Sequence, residues 1–155
     1  MIKTILCDFS RVILFPKDGS YLGKLNPLHN ELRQKNEGSF QDYFSFNDEL
    51  LNYFSKLKGK ISLYIFTTGS VQEAQARIKP IFGQILTVRE YNISKEDPQA
   101  YIFITKKLGI KPEETLFIDD KKENIDAAKE AGLLVIHYKD NLTLFDSLNN
   151  PEVST

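Results

Sequence analysis

Polar side chains able to act on an anion stand just past the short apolar runs of this chain. Asp8 follows Ile2–Cys7, Thr67 and Thr68 follow Ile61–Phe66, Lys95 comes in the loop region after Ile85–Val88, and Asp119 and Asp120 follow Thr115–Ile118. A carboxylate can attack an electrophile or hold a hard cation through oxygen. Hydroxyls and amides at a helix start can bind phosphate oxygens, and an ammonium offsets developing negative charge. Together such a set could hold a metal ion and a phosphoryl group. Taken singly, each residue has a plainer reading: Asp8 as a turn or cap residue, Thr67-Thr68-Gly69-Ser70 as a bare helix start, Lys95 as a surface lysine. An acidic pair is commonly a solvated turn, but one directly behind Leu116-Phe117-Ile118 is harder to dismiss.

These side chains meet only if the apolar runs are neighbouring strands. The runs, with Leu133–His137 as a fifth, alternate with longer periodic segments, the pattern of a parallel sheet with crossover helices. Most are apolar nearly throughout, as strands covered on both faces tend to be. In such a sheet ligands bind beyond the carboxyl ends of the strands, where all of these polar residues fall. Helices are expected over Asn47–Lys58, Ser70–Lys79, Lys121–Ala131 and Asn141–Leu148, and another opens at Asp97-Pro98 and stops at Gly109. Pro151–Thr155 reads as a frayed tail. About fifty residues separate the first two strands, more than a crossover needs. Val12–Pro16 and Ser20–Leu22 around Lys17-Asp18-Gly19 read as a small hairpin, since Asp-Gly favours one. Leu25–Phe44 shows no clear period and reads as a short cap or lid segment.

Composition narrows the function classes. The 155 residues, 41% hydrophobic with 11 Phe and 7 Tyr, fit one domain spanning 1–155. A formal net charge of −1 without lysine clusters gives no footprint for nucleic acid or an anionic membrane. No stretch approaches the roughly 18 apolar residues of a membrane span. The single cysteine excludes an internal disulfide, and no signal peptide is visible, so the expectation is a cytoplasmic protein.

In this order the motifs become specific. Cys7-Asp8-Phe9-Ser10-Arg11-Val12, Phe66-Thr67-Thr68-Gly69, Lys95-Glu96-Asp97-Pro98 and Phe117-Ile118-Asp119-Asp120-Lys121-Lys122-Glu123-Asn124 resemble, in sequence, the four motifs of the haloacid dehalogenase (HAD) superfamily. The resemblance implies a three-layer α/β sandwich, Rossmann-like, with a five-stranded mainly parallel sheet in the order 3-2-1-4-5. It also implies a flap and short cap at about 11–57. By the same resemblance Asp8 would be the nucleophile and carry a transient aspartyl-phosphate. Mg²⁺ would be held by Asp8, the backbone carbonyl of Ser10 and Asp120, with Asp119 in support. Thr67, the amide of Thr68 and Lys95 would bind phosphate, and Asn124 would brace the acidic loop. The substrate would be a small-molecule or protein phosphate.

One position departs from the pattern. The family's phosphatases carry a second Asp two residues past the nucleophile as general acid and base, and here that residue is Ser10. An unassisted hydroxyl is a poor acid, and losing such a group costs about 10²–10⁴ in rate. The departure leaves open a weak or specialised phosphatase, a non-catalytic binding module, and a dehalogenase or phosphonatase reaction. The intact acidic pair favours the first over the last. A receiver domain uses similar residues in a different order, with its acidic pair on the first strand. Cys7 does not begin the Cys-x5-Arg loop of thiol phosphatases, because position 13 is Ile13. His29 and His137 show no partner spacing and read as structural.

Overall fold

The computed structural model describes residues 1–35, 38–69 and 72–149. In chain order it begins with β1 (Thr4–Cys7), β2 (Leu14–Pro16), α1 (Leu25–Lys35), α2 (Phe40–Tyr43), β3 (Phe44–Phe46) and α3 (Asp48–Leu57). Then come β4 (Ser62–Thr67), α4 (Gln75–Ile78), β5 (Gln84–Thr87), α5 (Val88–Tyr91) and α6 (Pro98–Leu108). The chain closes with β6 (Thr115–Asp119), α7 (Lys122–Glu130), β7 (Leu134–His137) and α8 (Asn141–Asn149).

Five strands form one sheet in the order β5-β4-β1-β6-β7, every neighbouring pair parallel, which is the expected 3-2-1-4-5 arrangement. Strand side chains alternate between two apolar layers, as a period of two requires. Ile5, Cys7, Ile65, Leu116 and Ile118 pack with Leu50, Leu51, Phe54, Ile78 and Leu144 on one face. Leu6, Phe66 and Phe117 pack with Tyr101, Ile104, Ile125 and Ala128 on the other. Cys7 is therefore a fully buried core residue. Both faces of the sheet are covered by helices, which explains why the strands read as near-continuous apolar runs.

Helix punctuation follows the expected chemistry at α6. The Asp97 side chain accepts from the Gln99 amide at 2.9 Å, Pro98 occupies the first turn, and Gly109 ends the helix in the left-handed region at φ 64°. Of the expected Ser70–Lys79 helix the first two residues lie outside the described ones; among the described residues a 3-10 turn covers Gln72–Ala74 and Gln75–Ile78 is α-helical. Val88 begins α5 rather than ending a strand. The expected tail at Pro151–Thr155 lies outside the described residues. Among the described residues no helix is long and apolar enough to cross a membrane.

The segment between β1 and β4 corrects the sequence reading. Leu14–Pro16 does pair antiparallel, but with Phe44–Phe46 and not with Ser20–Leu22. Leu25–Phe44, without clear period in sequence, contains the helices α1 and α2. In α1, Leu25 is buried and Leu28 and Leu32 pack against the core, at helical spacing. Pro27 interrupts the pattern to the eye but stands in the first turn, where its missing N–H has no partner to lose.

Asn47 fastens this insertion to the rest of the fold. Its side chain caps α3 by accepting from the Leu50 amide, donates to the Val12 carbonyl at 2.9 Å, and exchanges amide bonds with Asn141 at 2.8 Å. Loss of a cap costs about 1 kcal/mol, and each further half-buried bond adds about 1. Asn47→Ala should therefore lower stability by about 3–4 kcal/mol in urea unfolding. A loss below about 0.5 kcal/mol, the ordinary surface effect, would show that Asn47 holds nothing.

Candidate active site

The register of the sheet brings the polar residues to one level. Cys7 pairs with Ile65 and Ile118, Thr67 with Thr87, and Asp119 with His137. Asp8 leaves β1 with its amide donating to the Ile118 carbonyl at 2.8 Å. Thr67, Asp119 and Asp120 end their strands or follow them directly, so all project past the same edge.

Lys95 joins two of them. Its ammonium donates to Asp8 Oδ1 at 2.8 Å and to Asp119 Oδ2 at 2.5 Å, and the three residues are 3%, 6% and 0% exposed respectively. Its Nζ also lies 5.6 Å from the Phe66 ring centre and 5.3 Å from that of Phe117. Burial works against the charge on Lys95, but the two carboxylates outweigh it and hold its pKa above the ordinary lysine value. Burial pushes Asp8 up to about 6, with Asp119 adding to the rise and Lys95 opposing it. Asp120 is raised too, by burial first and then by its neighbour Asp119.

The acidic loop is braced from several sides. Asp119 Oδ1 accepts from the Lys121 amide at 2.8 Å, and Asp119 Oδ2 accepts from Asn124 Nδ2 at 3.0 Å. Tyr101 is fully buried, and its hydroxyl reaches the carbonyls of Lys95 and Asn124 at 2.8 and 3.0 Å. It ties the lysine loop to α7. His137 Nε2 lies 2.9 Å from the Asp120 carbonyl. Neither Tyr101 nor His137 was visible as a site residue in sequence, since both act on backbone carbonyls, which leave no side-chain spacing to read.

One oxygen from each of Asp8, Asp119 and Asp120 lies within 4.8 Å of the others, a set of hard donors suited to an ion such as Mg²⁺. Asp8, Ser10, Thr68, Lys95, Asp120 and Asn124 line a cleft of about 660 Å³. Thr67 is fully buried, and its hydroxyl accepts from the Gly69 amide at 3.2 Å. Thr68 and Gly69 are not helical, Ser70 and the residue after it lie outside the described residues, and the first helical turn described comes at Gln72. The insertion reaches this loop directly: a Cβ on Gly69 would fall 2.5 Å from Asn26 Oδ1 of α1. Glycine is what permits that approach. Beside Ser10, Arg11 takes a left-handed φ of 61° and its Nη2 donates to the carbonyls of Tyr21 and Gly23 at 2.8 and 2.7 Å.

The family model for haloacid dehalogenase-like hydrolases matches residues 23–132, most of the chain, including Thr67, Lys95, Asp119 and Asp120. The chain belongs to this family of hydrolases. The match begins after Asp8 and Ser10, so those two enter through the geometry above. Among sequence relatives of this HAD-like hydrolase, enolase-phosphatase E1 of Methylococcus capsulatus is 36% identical over 80 residues, 46% of this chain and 34% of that protein. Glyceraldehyde 3-phosphate phosphatase of Methanocaldococcus jannaschii is 30% identical over 69 residues, 41% of this chain and 30% of that one. The chain thus spans about a third of the length of these relatives. A HAD family enzyme of Bacteroides thetaiotaomicron, crystallised with magnesium and inorganic phosphate, superposes with a TM-score of 0.67 at 17% identity. That likeness covers 94% of this chain and all of the other, and it shows the fold.

Proposed function

We propose that this HAD-like hydrolase is a Mg²⁺-dependent phosphatase in which Asp8 is the nucleophile. The observation that carries the reading is the buried Asp8–Lys95–Asp119 cluster with Asp120 beside it, open to a cleft at the carboxyl ends of the strands. Asp8, the Ser10 carbonyl and Asp120 would hold the ion, with Asp119 in support, and the bound ion would offset the charge that otherwise keeps a phosphate from a carboxylate.

An Asp8 oxygen attacks phosphorus as the bond to the leaving oxygen breaks, and the carboxylate becomes an aspartyl-phosphate. Lys95 neutralises Asp8 before attack and the charge that builds afterwards. Thr67 and the Thr68 amide orient the phosphate oxygens. Water then attacks phosphorus, the bond to Asp8 breaks, and the carboxylate is restored. Neither proton transfer has a strong acid or base at Ser10, so the leaving oxygen draws its proton from solvent. Substrates with good leaving groups, such as aryl and acyl phosphates, fit best. Both relatives are named as phosphatases, and the one named for glyceraldehyde 3-phosphate supports a small phosphorylated substrate.

Phosphate release from p-nitrophenyl phosphate and acetyl phosphate should require added Mg²⁺ and fall to background in Asp8→Asn. A broad panel of phosphate esters with no Asp8-dependent release would overturn the reading. Ser10 itself favours one competitor, a module that binds Mg²⁺ and phosphate without turning over. Calorimetry showing both ligands bound, with no release on that panel, would establish it.

A further inference from the structure

Away from the buried cluster the cleft changes sign. Its outer wall carries Arg11, Lys24, Arg89 and Lys121 against a single acid, Glu96, once Asp8 and Asp120 are set aside for the ion. The four cations come from four separate segments: the turn after β1, the stretch before α1, the helix α5, and the residue after the acidic pair. Topology, not a basic run in sequence, gathers them, in a chain whose formal net charge is −1. Among the described residues none of the four is paired with a carboxylate. Arg11 is the most fixed: its guanidinium is held by the carbonyls of Tyr21 and Gly23, which set its place without cancelling its charge. Like charges around one mouth repel each other, and an anion placed among them removes that cost. Low-dielectric walls, here including Val88, Ile93 and Leu25, focus the field inward.

We propose that the natural substrate carries a second anionic group, a carboxylate or a phosphate, on the part that leaves, and that these rim cations bind it while the phosphoryl group faces Asp8. The proposal rests on the phosphatase reading for the position of the phosphoryl group. It separates this site from a pocket for neutral sugar or aldehyde phosphates.

The test compares ligands that differ in that one group, bound to Asp8→Asn protein with Mg²⁺ so that none is consumed. Calorimetry would pair 3-phosphoglycerate with glyceraldehyde 3-phosphate for the carboxylate, and fructose 1,6-bisphosphate with fructose 6-phosphate for the phosphate. An exposed ion pair is worth about two- to fivefold in affinity, so two or three together should favour the more acidic ligand about tenfold in at least one pair. The pair that shows the preference identifies the group. The preference should shrink in the exposed-site double variant Lys24→Gln/Arg89→Gln and with added salt. Equal affinities within both pairs, a preference for the neutral ligands, or no binding by any of the four would overturn the proposal. If the preference is found but wild-type protein releases no phosphate, the phosphatase reading fails and the anion subsite stands. Release without preference sinks the subsite alone.

Discussion

Ser10→Asp should raise Mg²⁺-dependent phosphate release by about 10²–10⁴-fold, the usual worth of a positioned acid–base group. Ser10 lines the cleft beside Asp8, half-buried, with its backbone fixed by a bridge to Leu14. The substitution changes only the side chain, so the carbonyl proposed as an ion ligand stays. The gain in kcat/KM, which reports phosphoryl transfer to Asp8, should be largest for alkyl phosphates, whose leaving oxygen needs a proton, and smallest for acetyl phosphate, whose carboxylate leaves without one. The same missing base slows the attack of water on the aspartyl-phosphate. Wild-type protein mixed with acetyl phosphate should therefore retain a phosphoryl group on Asp8, seen by intact mass, that Ser10→Asp loses quickly. Values of kcat/KM across a series of leaving groups check the first half, and rapid-quench mass spectrometry the second. A flat response to leaving group in both proteins would mean that proton transfer is not what limits this site.

Sequence made the strand-end chemistry legible because Asp8, Thr67 and Asp119 each directly follow a run rich in Ile, Leu and Phe that reads as a buried strand. Lys95 shows the limit of that reading. Its rank came from its place in an ordered series, and nothing in sequence tells that it bridges Asp8 and Asp119 rather than Asp120. The insertion is hard to read from sequence for a different reason. Asp18-Gly19 is a strong but local turn signal, and the true partner of Leu14–Pro16 lies beyond α1 and α2. What selects it is burial: Leu14 and Phe44 are both in the core, whereas Leu22 is 87% exposed. Long-range burial of that kind is decided by the whole fold and leaves no short pattern. The cationic rim was hidden likewise, since Arg11, Lys24, Arg89 and Lys121 are far apart in sequence and meet only through the order of the strands.

Lys95→Met should destabilise the protein by about 3–5 kcal/mol, the cost of breaking a buried ion pair from one side. The thioether chain can occupy much of the lysine stem beside Phe66 and Phe117, so the loss reports charge more than volume. What remains is Asp8 facing Asp119, two carboxylates almost shut off from water, with the ammonium gone that held them together. Asp8 already sits at about 6 because burial disfavours its charge, and Lys95 is the main influence pulling it down. In the variant its pKa lies further above that of an unfolded Asp, about 3.9. The folded form then binds the proton more tightly than the unfolded one, so stability must rise as pH falls. Urea unfolding at about pH 5.5 should show a smaller deficit against wild type than at about pH 7.5. Mg²⁺ should also recover stability in proportion to the logarithm of its concentration, because only the folded chain presents the three carboxylates together. A deficit that ignores both pH and Mg²⁺ would assign the loss to packing around Lys95. A deficit that both relieve would mean that the lysine, in the metal-free protein, does electrostatically what the ion does when bound.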